Sequence, residues 1–453
     1  MTAGWTADLA AALGSAVVLD PDIIAAYSRD QAPLAAAGVA MALVRARSTD
    51  VVRETLRFAN DRRIPVVTRA AGTGLAGGAN ALDGGIVLSV LGMNAIVRID
   101  EAARTAVVQP GVLNATLATE AAARGLFYAP DPSSREISTI GGNIATNAGG
   151  ACCLKYGVTG DHVAALEVVL ADGSVERTRA VTAKNVAGLD LTRLLVGSEG
   201  TLGVIVQATV RLLPAPRPAA TLVAFFDTLD AAAAAVVAME AFADLSLLEM
   251  MDRTTVGAVE RVTGMGLDTT AAAMLLLQSD ATDAAAVVAR CEETCRSHGA
   301  RDTARSDDPA EGKLLLAARR MALPALEKLG TTLLDDVAVP KPALGTLIAR
   351  IQHLAAHHGL TIGTFGHVGD GNLHPTLVFD GADPTSRARA FAAFDGIVRA
   401  ALALGGTITG EHGVGSLKQD YMTAMVGEAE RALMARVKAA FDPKSILNPG
   451  RGI

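Results

Sequence analysis

The sequence predicts an α+β protein of two or three domains, and three observations carry that expectation. Short strand-like runs follow one another early in the chain, at IPVVTR, GIVLSV, AIVRID and TAVVQPG. After Leu213 the pattern changes to strands alternating with Ala-rich helical stretches, and the Pro-punctuated PAPRP marks the change. The length of 453 residues suits two or three domains at roughly 100–200 residues each.

Taken in order, residues 1–60 read as short amphipathic helices. Ser48-Thr49-Asp50 starts one of them, with apolar residues at 51, 52, 56 and 59. IPVVTR is a short buried strand running into a Gly-rich loop, AAGTGLAGGANALDGG. VLNATLATEAAARG is helical, whereas Ala129–Gly160 is rich in Pro, Gly, Ser and Asn and has little periodicity. AALEVVLADGSVER reads as a hairpin turning at Asp172-Gly173. GSEGTLGVIVQATVRLLP ends in a long strand. TLVAFF, LSLLEMM and AAAMLLLQ, with helices between them, suggest an antiparallel sheet covered by helices on one face. LTIGTFGHVGDGNLHPTLVFD is a strand–turn–strand. The expected domains are 1–214, 215–405 and a C-terminal segment 406–453.

Composition narrows the function classes. Net charge is −7 and no basic tract or aromatic–basic interleaving occurs, so nucleic acid is not an expected partner. Aromatics are 3%, so the core must be aliphatic. The most apolar long stretch, Ala231–Met251, carries Glu240 and Asp244, so no transmembrane segment is expected. MTAGWTADLA lacks the layout of a signal peptide. Four Cys make no disulfide framework. Cys152–Cys153 and Cys291/Cys295 read as small buried or half-buried thiols in a reducing compartment. The expected location is cytoplasmic, with peripheral attachment at the inner membrane face left open.

Gly72-Thr-Gly74-Leu-Ala-Gly77 matches the G-x-G-x-x-G pattern of dinucleotide folds, but the context fails. That pattern needs a helix opening at the third Gly to hold the pyrophosphate. Gly77-Gly78 and Gly84-Gly85 leave no room for one, since each Gly costs a helix about 1 kcal/mol. The loop can still cradle an anion, because glycines let successive backbone N–H groups converge, and Arg69 adds a charge. A second segment, Ile140–Gly150, offers backbone amides with Asn and Thr side chains. Such a set suits a ligand of mixed polarity, such as a flavin ring edge.

PVVTRAAGTGLAGGA, PDPSSREISTIGGNIATNAGG, LKYGVTGDHV and GSEGTLGVIV, in this order, resemble the FAD domain of the vanillyl-alcohol-oxidase/PCMH superfamily. GHVGDGNLHP, GEHGVG and DPKSILNPGR resemble the FAD-linked oxidase C-terminal domain. The resemblance runs from about residue 35 to 453 and points to bacterial D-lactate dehydrogenases, glycolate oxidase flavoprotein subunits and D-2-hydroxyglutarate dehydrogenases. It implies a PCMH-type FAD domain of two subdomains, a ferredoxin-like α+β cap and a C-terminal segment that returns to the flavin domain. By resemblance the pyrophosphate loop is Arg69–Gly78, with Arg69, Ala71, Gly72, Thr73, Gly74, Leu75, Gly77 and Gly78 touching FAD. Further FAD contacts are Pro130, Asp131, Ser138, Thr139, Gly142, Asn143, Thr146, Glu199, Gly203 and Ile205, and Asn448 lies near the flavin. No His precedes His162, so FAD is expected to be non-covalent.

The second half carries the chemistry. His367 and His374 flank the turn VGDGN, which could bring two imidazoles together. With Glu411 they make a two-imidazole, one-carboxylate set that leaves a Zn, Mn or Fe ion with open positions. In the hydroxyglutarate relatives the matching residues bind a divalent metal, usually zinc. Glu411 and His412 would face opposite sides in a regular strand, but the flanking glycines allow another path. His412 is the expected base, taking the hydroxyl proton while hydride leaves Cα for flavin N5 and a 2-oxo acid forms. Arg319, in a stretch similar to the G-R-x-x-x-x-P-A of the relatives, is expected to bind the substrate carboxylate. The remaining five His, at 162, 298, 353, 357 and 358, are expected at surfaces or helix caps.

Hydroxyglutarate enzymes place a Thr and a Lys where this chain has Leu323 and Leu334. An apolar pair holds a distal carboxylate poorly, which favours D-lactate, glycolate or another short D-2-hydroxy acid over D-2-hydroxyglutarate. The rivals are an ether-lipid flavoprotein on the same fold and an electron-transfer or FAD-lacking subunit of a glycolate oxidase. The complete Arg69–Gly78 loop argues against the latter. The electron acceptor, whether quinone, cytochrome or electron-transfer flavoprotein, is not legible, and a homodimer stays open.

Overall fold

The computed structural model describes residues 4–182 and 184–452, and every structural statement refers to them. The chain forms two compact units. The first comprises Met1–Gly149, Gly157–Ala215 and Glu411–Ile453, and the second Gly150–Tyr156 and Pro216–Gly410. Gly150–Tyr156, which the sequence reading leaves in the first domain, therefore runs with the second. So do residues 406–410.

The first unit holds two sheets. In one, Ala42–Arg45 and Val66–Arg69 both pair in parallel with Ile86–Ser89, and Val17–Val18 adds an antiparallel edge. These parallel strands are continuous apolar runs, as strands buried on both faces must be. The early segment is thus not only helical: Ala42–Arg45 is a central strand. Helix Thr49–Arg62 starts as expected, with Ser48 Oγ accepting from Val51 N. Its Val52, Leu56 and Ala59 enter the aliphatic core with Val44, Val66, Ile86 and Leu88.

The second sheet of this unit is antiparallel, in the order Ile96–Asp100, Thr105–Val108, Val204–Arg211, Val163–Val169, Val175–Arg177. The Asp172-Gly173 turn is present, with Gly173 at φ +82° and Ser174 N donating to Asp172. Asn114–Ala122 is the expected helix and buries Leu117 and Ala121. Ile140–Thr146, expected to lack regular structure, is a short helix. Thr139 caps it, its Oγ1 accepting from Gly142 N at 3.2 Å. A Cβ at Gly141 would lie 2.4 Å from Pro110 Cβ, so glycine here serves close packing.

The C-terminal segment completes the first sheet. Leu447 bridges Val66 in parallel, Val66 N donates to Ile446 O and Asn448 N donates to Val66 O. The exposed edge of Val66–Arg69 is thereby covered.

The second unit is built on one antiparallel sheet. Its order is Ala300–Ser306, Ala220–Phe226, Ala273–Ser279, Leu247–Asp252, Thr361–Gly366, Asn372–Phe379, Thr331–Leu334, and Val337–Ala338 also pairs with Asn372–Phe379. Helices pack on it in two sets and not on one face alone. Leu229–Glu240, Ala284–Ser297, Leu344–His358 and Pro384–Ala403 form one set. Arg253–Thr263, Pro309–Arg320 and Ala322–Glu327 form the other. Leu247–Asp252 and Asn372–Phe379 are consequently buried at every residue.

No helix among the described residues is long and apolar enough to cross a membrane. The four described cysteines are free thiols, two buried and two half-buried. His298 caps its helix and accepts a place beside Thr294 O, as expected of a cap residue. His162 departs from its expected surface role: it is buried, edge-on to the Tyr128 ring.

Candidate active-site residues in the two units

All the residues proposed to touch FAD, from Arg69 to Asn448, belong to the first unit. Residues 70–85 form the Gly-rich connection between Val66–Arg69 and Ile86–Ser89, and it contains no helix. Adjacent parallel strands normally need a helical crossover, and here an open loop replaces it. The loop is tied down from outside. Asp30 N donates to Asn80 Oδ1 at 2.7 Å, Gln31 N donates to Gly74 O at 2.8 Å, and Asn80 Nδ2 donates to Ala36 O. Gly72 sits at φ +72°, and a Cβ there would strike the Arg69 guanidinium. Burial pushes the Asp30 carboxyl up, against the pull of its backbone partners and Arg69.

Several buried polar atoms of this unit have no hydrogen-bond partner among the described residues. Among them are Thr68 Oγ1, Arg69 Nη1, Ser138 Oγ, Asn143 Nδ2, Ser416 Oγ and Asn448 Oδ1. Leaving such groups unpaired costs about 1–3 kcal/mol each, and native interiors keep few of them. A large ligand of mixed polarity would satisfy them, which fits FAD. Arg69, Ser138, Asn143 and Asn448 are among the residues singled out in the sequence; Thr68 and Ser416 were missed. Of the other positions, Pro130 O accepts from Asn114 Nδ2, Asp131 and Thr139 are buried, and Thr146 Oγ1 back-bonds to Gly142 O. Gly203 precedes the strand in which Ile205 pairs with Val168.

Glu199, expected to touch FAD, ties the C-terminal segment to its own unit. Its backbone is left-handed, at φ +50°. Its carboxylate accepts from Val414 N at 2.7 Å and Gly415 N at 2.8 Å. Burial pushes its pKa up, opposed by those two amides and by Arg451. Asn448 Nδ2 joins the same cluster by donating to Glu199 O and Gly78 O, and Arg451 Nε donates to Gly77 O. Ser416 N and Leu417 N both donate to Ala76 O. The end of the GEHGVG motif is therefore held by the Glu199 carboxylate, and the two residues after it are fastened to the Gly-rich loop by backbone bonds.

Within that motif Glu411 and His412 do not point apart. Glu411 Oε1 lies 3.5 Å from His412 Nε2, along an irregular path that has Gly413 at φ +85°. A Cβ at Gly149 would come 2.5 Å from Glu411 Oε2, so that glycine makes room for the carboxylate.

The second unit brings together residues that the sequence separates widely. His367 and His374 face one another across the hairpin, their ring centres 5.2 Å apart. His367 Nδ1 lies 2.6 Å from Glu249 Oε1. Glu249 Oε2 lies 2.7 Å from Arg319 Nη2, and the Arg319 guanidinium stacks over the Phe365 ring. Burial alone would raise the Glu249 pKa; His367 and Arg319 outweigh it and hold the carboxyl below its usual value. His374 Nδ1 is 3.6 Å from Asp336 Oδ1. Asp336 also accepts from Asn372 Nδ2, Thr409 Oγ1 and Gly410 N at 2.7–2.8 Å. It thus fixes Gly410, the residue immediately before Glu411 in the chain.

Glu249 and Asp336 were missed in the sequence. Arg319 is buried, and its Nε makes no hydrogen bond among the described residues. Leu323 and Leu334 both pack against the apolar cluster of Val256, Met274 and Phe365. Lys341 is engaged by Glu240 at 2.7 Å.

The family model for the C-terminal domain of FAD-linked oxidases matches residues 215–451, and a model for an FAD binding domain matches residues 40–179. The chain is 44% identical to the glycolate oxidase subunit GlcD of Bacillus subtilis, over 90% of this chain and 88% of that one. It is 37% identical to a D-lactate dehydrogenase of Archaeoglobus fulgidus, over 94% and 95%. In fold it is similar to p-cresol methylhydroxylase with substrate bound, with a TM-score of 0.80 at 18% identity over 99% and 96% of the two chains.

Proposed function

Because the chain belongs to the family of FAD-linked oxidases, we propose that it oxidises a short D-2-hydroxy acid, such as D-lactate or glycolate, to the 2-oxo acid with the help of FAD and a divalent metal. The observation that carries this reading is the fastening of GEHGVG within the flavin-binding unit. Glu199 grips the amides of residues 414 and 415, Ala76 O grips those of residues 416 and 417, and Gly149 makes room for Glu411. These contacts hold the segment that follows His412 within the first unit, which supports a role for its imidazole beside the cofactor. The names of the relatives, glycolate oxidase subunit and D-lactate dehydrogenase, supply the substrate class.

When bound, FAD supplies the acceptor for the electron pair leaving the substrate carbon. Its cradle is assigned to Arg69–Gly78, the helix Ile140–Thr146 with Ser138 and Asn143, and Asn448. His412 is assigned the base that removes the hydroxyl proton, a step for which imidazole suits neutral pH. Arg319 is assigned the substrate carboxylate, since its buried Nε is a donor held in reserve beside the Glu249 ion pair. His367 and His374, with Glu411, are assigned a Zn, Mn or Fe ion, which would supply Lewis-acid polarisation of the substrate oxygens. Two imidazoles whose Nδ1 atoms each lie beside a carboxylate fit such an ion. Leu323 and Leu334 offer no charge for a distal carboxylate, so a short side chain is preferred over 2-hydroxyglutarate.

The test is an anaerobic screen of D- and L-2-hydroxy acids that follows the visible flavin band. Bleaching by D-lactate or glycolate, with the L-lactate control inert, is the expected result. A band that survives every member of the screen would remove the proposed substrate class.

A further inference from the structure

We infer that Glu249 is the residue that orients His367 as a metal ligand, and that Arg319 balances the charge of Glu249 as well as facing substrate. The inference rests on the metal assignment proposed above and extends it to Glu249, which neither the motifs nor the relatives' names indicate.

Glu249 lies in a strand buried at every position, and the side chain itself is 1% exposed. A carboxylate that deep is costly unless both oxygens meet charged or donating groups. Here both do. Oε1 is 2.6 Å from His367 Nδ1, and Oε2 is 2.7 Å from Arg319 Nη2. Leu247, Glu249 and Met251 share one face of their strand, since side chains alternate. Leu247 and Met251 pack with Ala318 and Phe365 in the same apolar cluster. That packing fixes the Glu249 backbone opposite the helix that carries Arg319.

The hydrogen bond decides the state of His367. A proton on Nδ1, donated to Glu249, puts the lone pair on Nε2, the nitrogen that would ligate. Metal-binding imidazoles commonly donate their other N–H to a carboxylate, which sets ring orientation and raises ligand basicity. His374 Nδ1 also has a carboxylate nearby, Asp336 at 3.6 Å, which is beyond hydrogen-bond distance. A purely structural ion pair between Glu249 and Arg319 would need no third partner, yet His367 is held at the shorter distance.

Removing Glu249 alone would strand the Arg319 charge in the interior, so the test uses paired variants of the full FAD-loaded chain. Glu249→Leu with Arg319→Met removes the ion pair and the acceptor for His367. Glu249→Gln with Arg319→Met removes the same ion pair but leaves an amide oxygen to accept from Nδ1. After chelator dialysis, Zn2+ affinity is measured by competition with a chromophoric chelator, together with Tm and the flavin spectrum. The Leu variant is expected to bind Zn2+ about 10–100-fold more weakly than the unmodified protein, and the Gln variant to recover most of that loss. Equal Zn2+ affinity in the two double variants, with the unmodified protein binding tightly, would overturn the role of Glu249. An unmodified protein that binds no Zn2+ would instead overturn the metal assignment on which this inference stands.

Discussion

The flavin-binding unit and the histidine hairpin of the second unit prepare for chemistry in opposite ways. The first holds its cradle with Gly-rich loops and a C-terminal segment whose main-chain amides are gripped by the Glu199 carboxylate and by Ala76 O. Buried side-chain atoms of Thr68, Arg69, Ser138, Asn143 and Asn448 have no hydrogen-bond partner among the described residues. The second unit holds its histidines with side chains, each facing a buried carboxylate that is itself engaged by other groups. The difference follows from what each is proposed to bind. A large cofactor supplies many polar atoms of its own, so the protein can leave donors waiting. A metal ion supplies only charge, so its ligands must be oriented in advance.

The sharpest way to break this comparison is through His412, which is proposed to act on substrate from the cofactor's own unit. His412→Ala should keep FAD and metal but slow flavin reduction by D-lactate by about 10²–10⁴-fold, the usual size for a lost general base. Near-normal bleaching in stopped-flow measurements would take His412 out of the mechanism.

A smaller effect concerns the second unit alone. If Leu323 and Leu334 line the substrate pocket, D-2-hydroxyglutarate must bury a second charge without a partner, at a cost of several kcal/mol. The ratio of kcat/KM for D-lactate to that for D-2-hydroxyglutarate should then be at least about 10², since each 1.36 kcal/mol is tenfold. Leu334→Lys should narrow it. Efficient oxidation of D-2-hydroxyglutarate by the unmodified protein would show that another base, such as Arg320, reaches that carboxylate.

The two units also differ in how much of them the sequence discloses. Features set within a few residues were legible: the Ser48 cap, the Asp172-Gly173 turn, and the hairpin that pairs His367 with His374. The helix-free path of residues 70–85 was legible because the glycines there forbid the helix that a dinucleotide fold needs. The strand Ala42–Arg45 was not, since a short apolar run buried on both faces has no alternation to show. The helix Ile140–Thr146 was not, because Gly141 and Gly142 argue against a helix on propensity. Thr139 and the close packing on Pro110 override that propensity. Glu249 was hidden for a different reason: it stands 118 residues from His367 in the chain, and only the sheet brings them together. Side-chain partners assembled across a sheet leave no local spacing to read.

A further contrast lies in pH dependence. Asp252, which caps helix Arg253–Thr263 through Thr255 N, is buried so that its pKa is pushed up to about 6. In the unfolded chain the carboxyl ionises near its ordinary value of 3.8. Folding therefore takes up a proton between those values, and this group's contribution to stability falls as pH rises from about 4 to about 6. Asp252→Asn keeps a good cap and removes the cost of burying the charge. It should raise stability at pH 7 by about 1–3 kcal/mol and flatten that pH window, as read by denaturant unfolding. An unchanged pH profile would show that Asp252 is ionised in the folded protein at no cost.

The most direct test of the two-site account is chelation. FAD-loaded protein is treated with a strong chelator, desalted, and mixed anaerobically with D-lactate while the flavin band is followed. The account predicts that FAD stays bound, that bleaching by D-lactate is lost, and that added Zn2+ or Mn2+ restores it. Undiminished bleaching after the metal is removed, or release of FAD together with the metal, would contradict it.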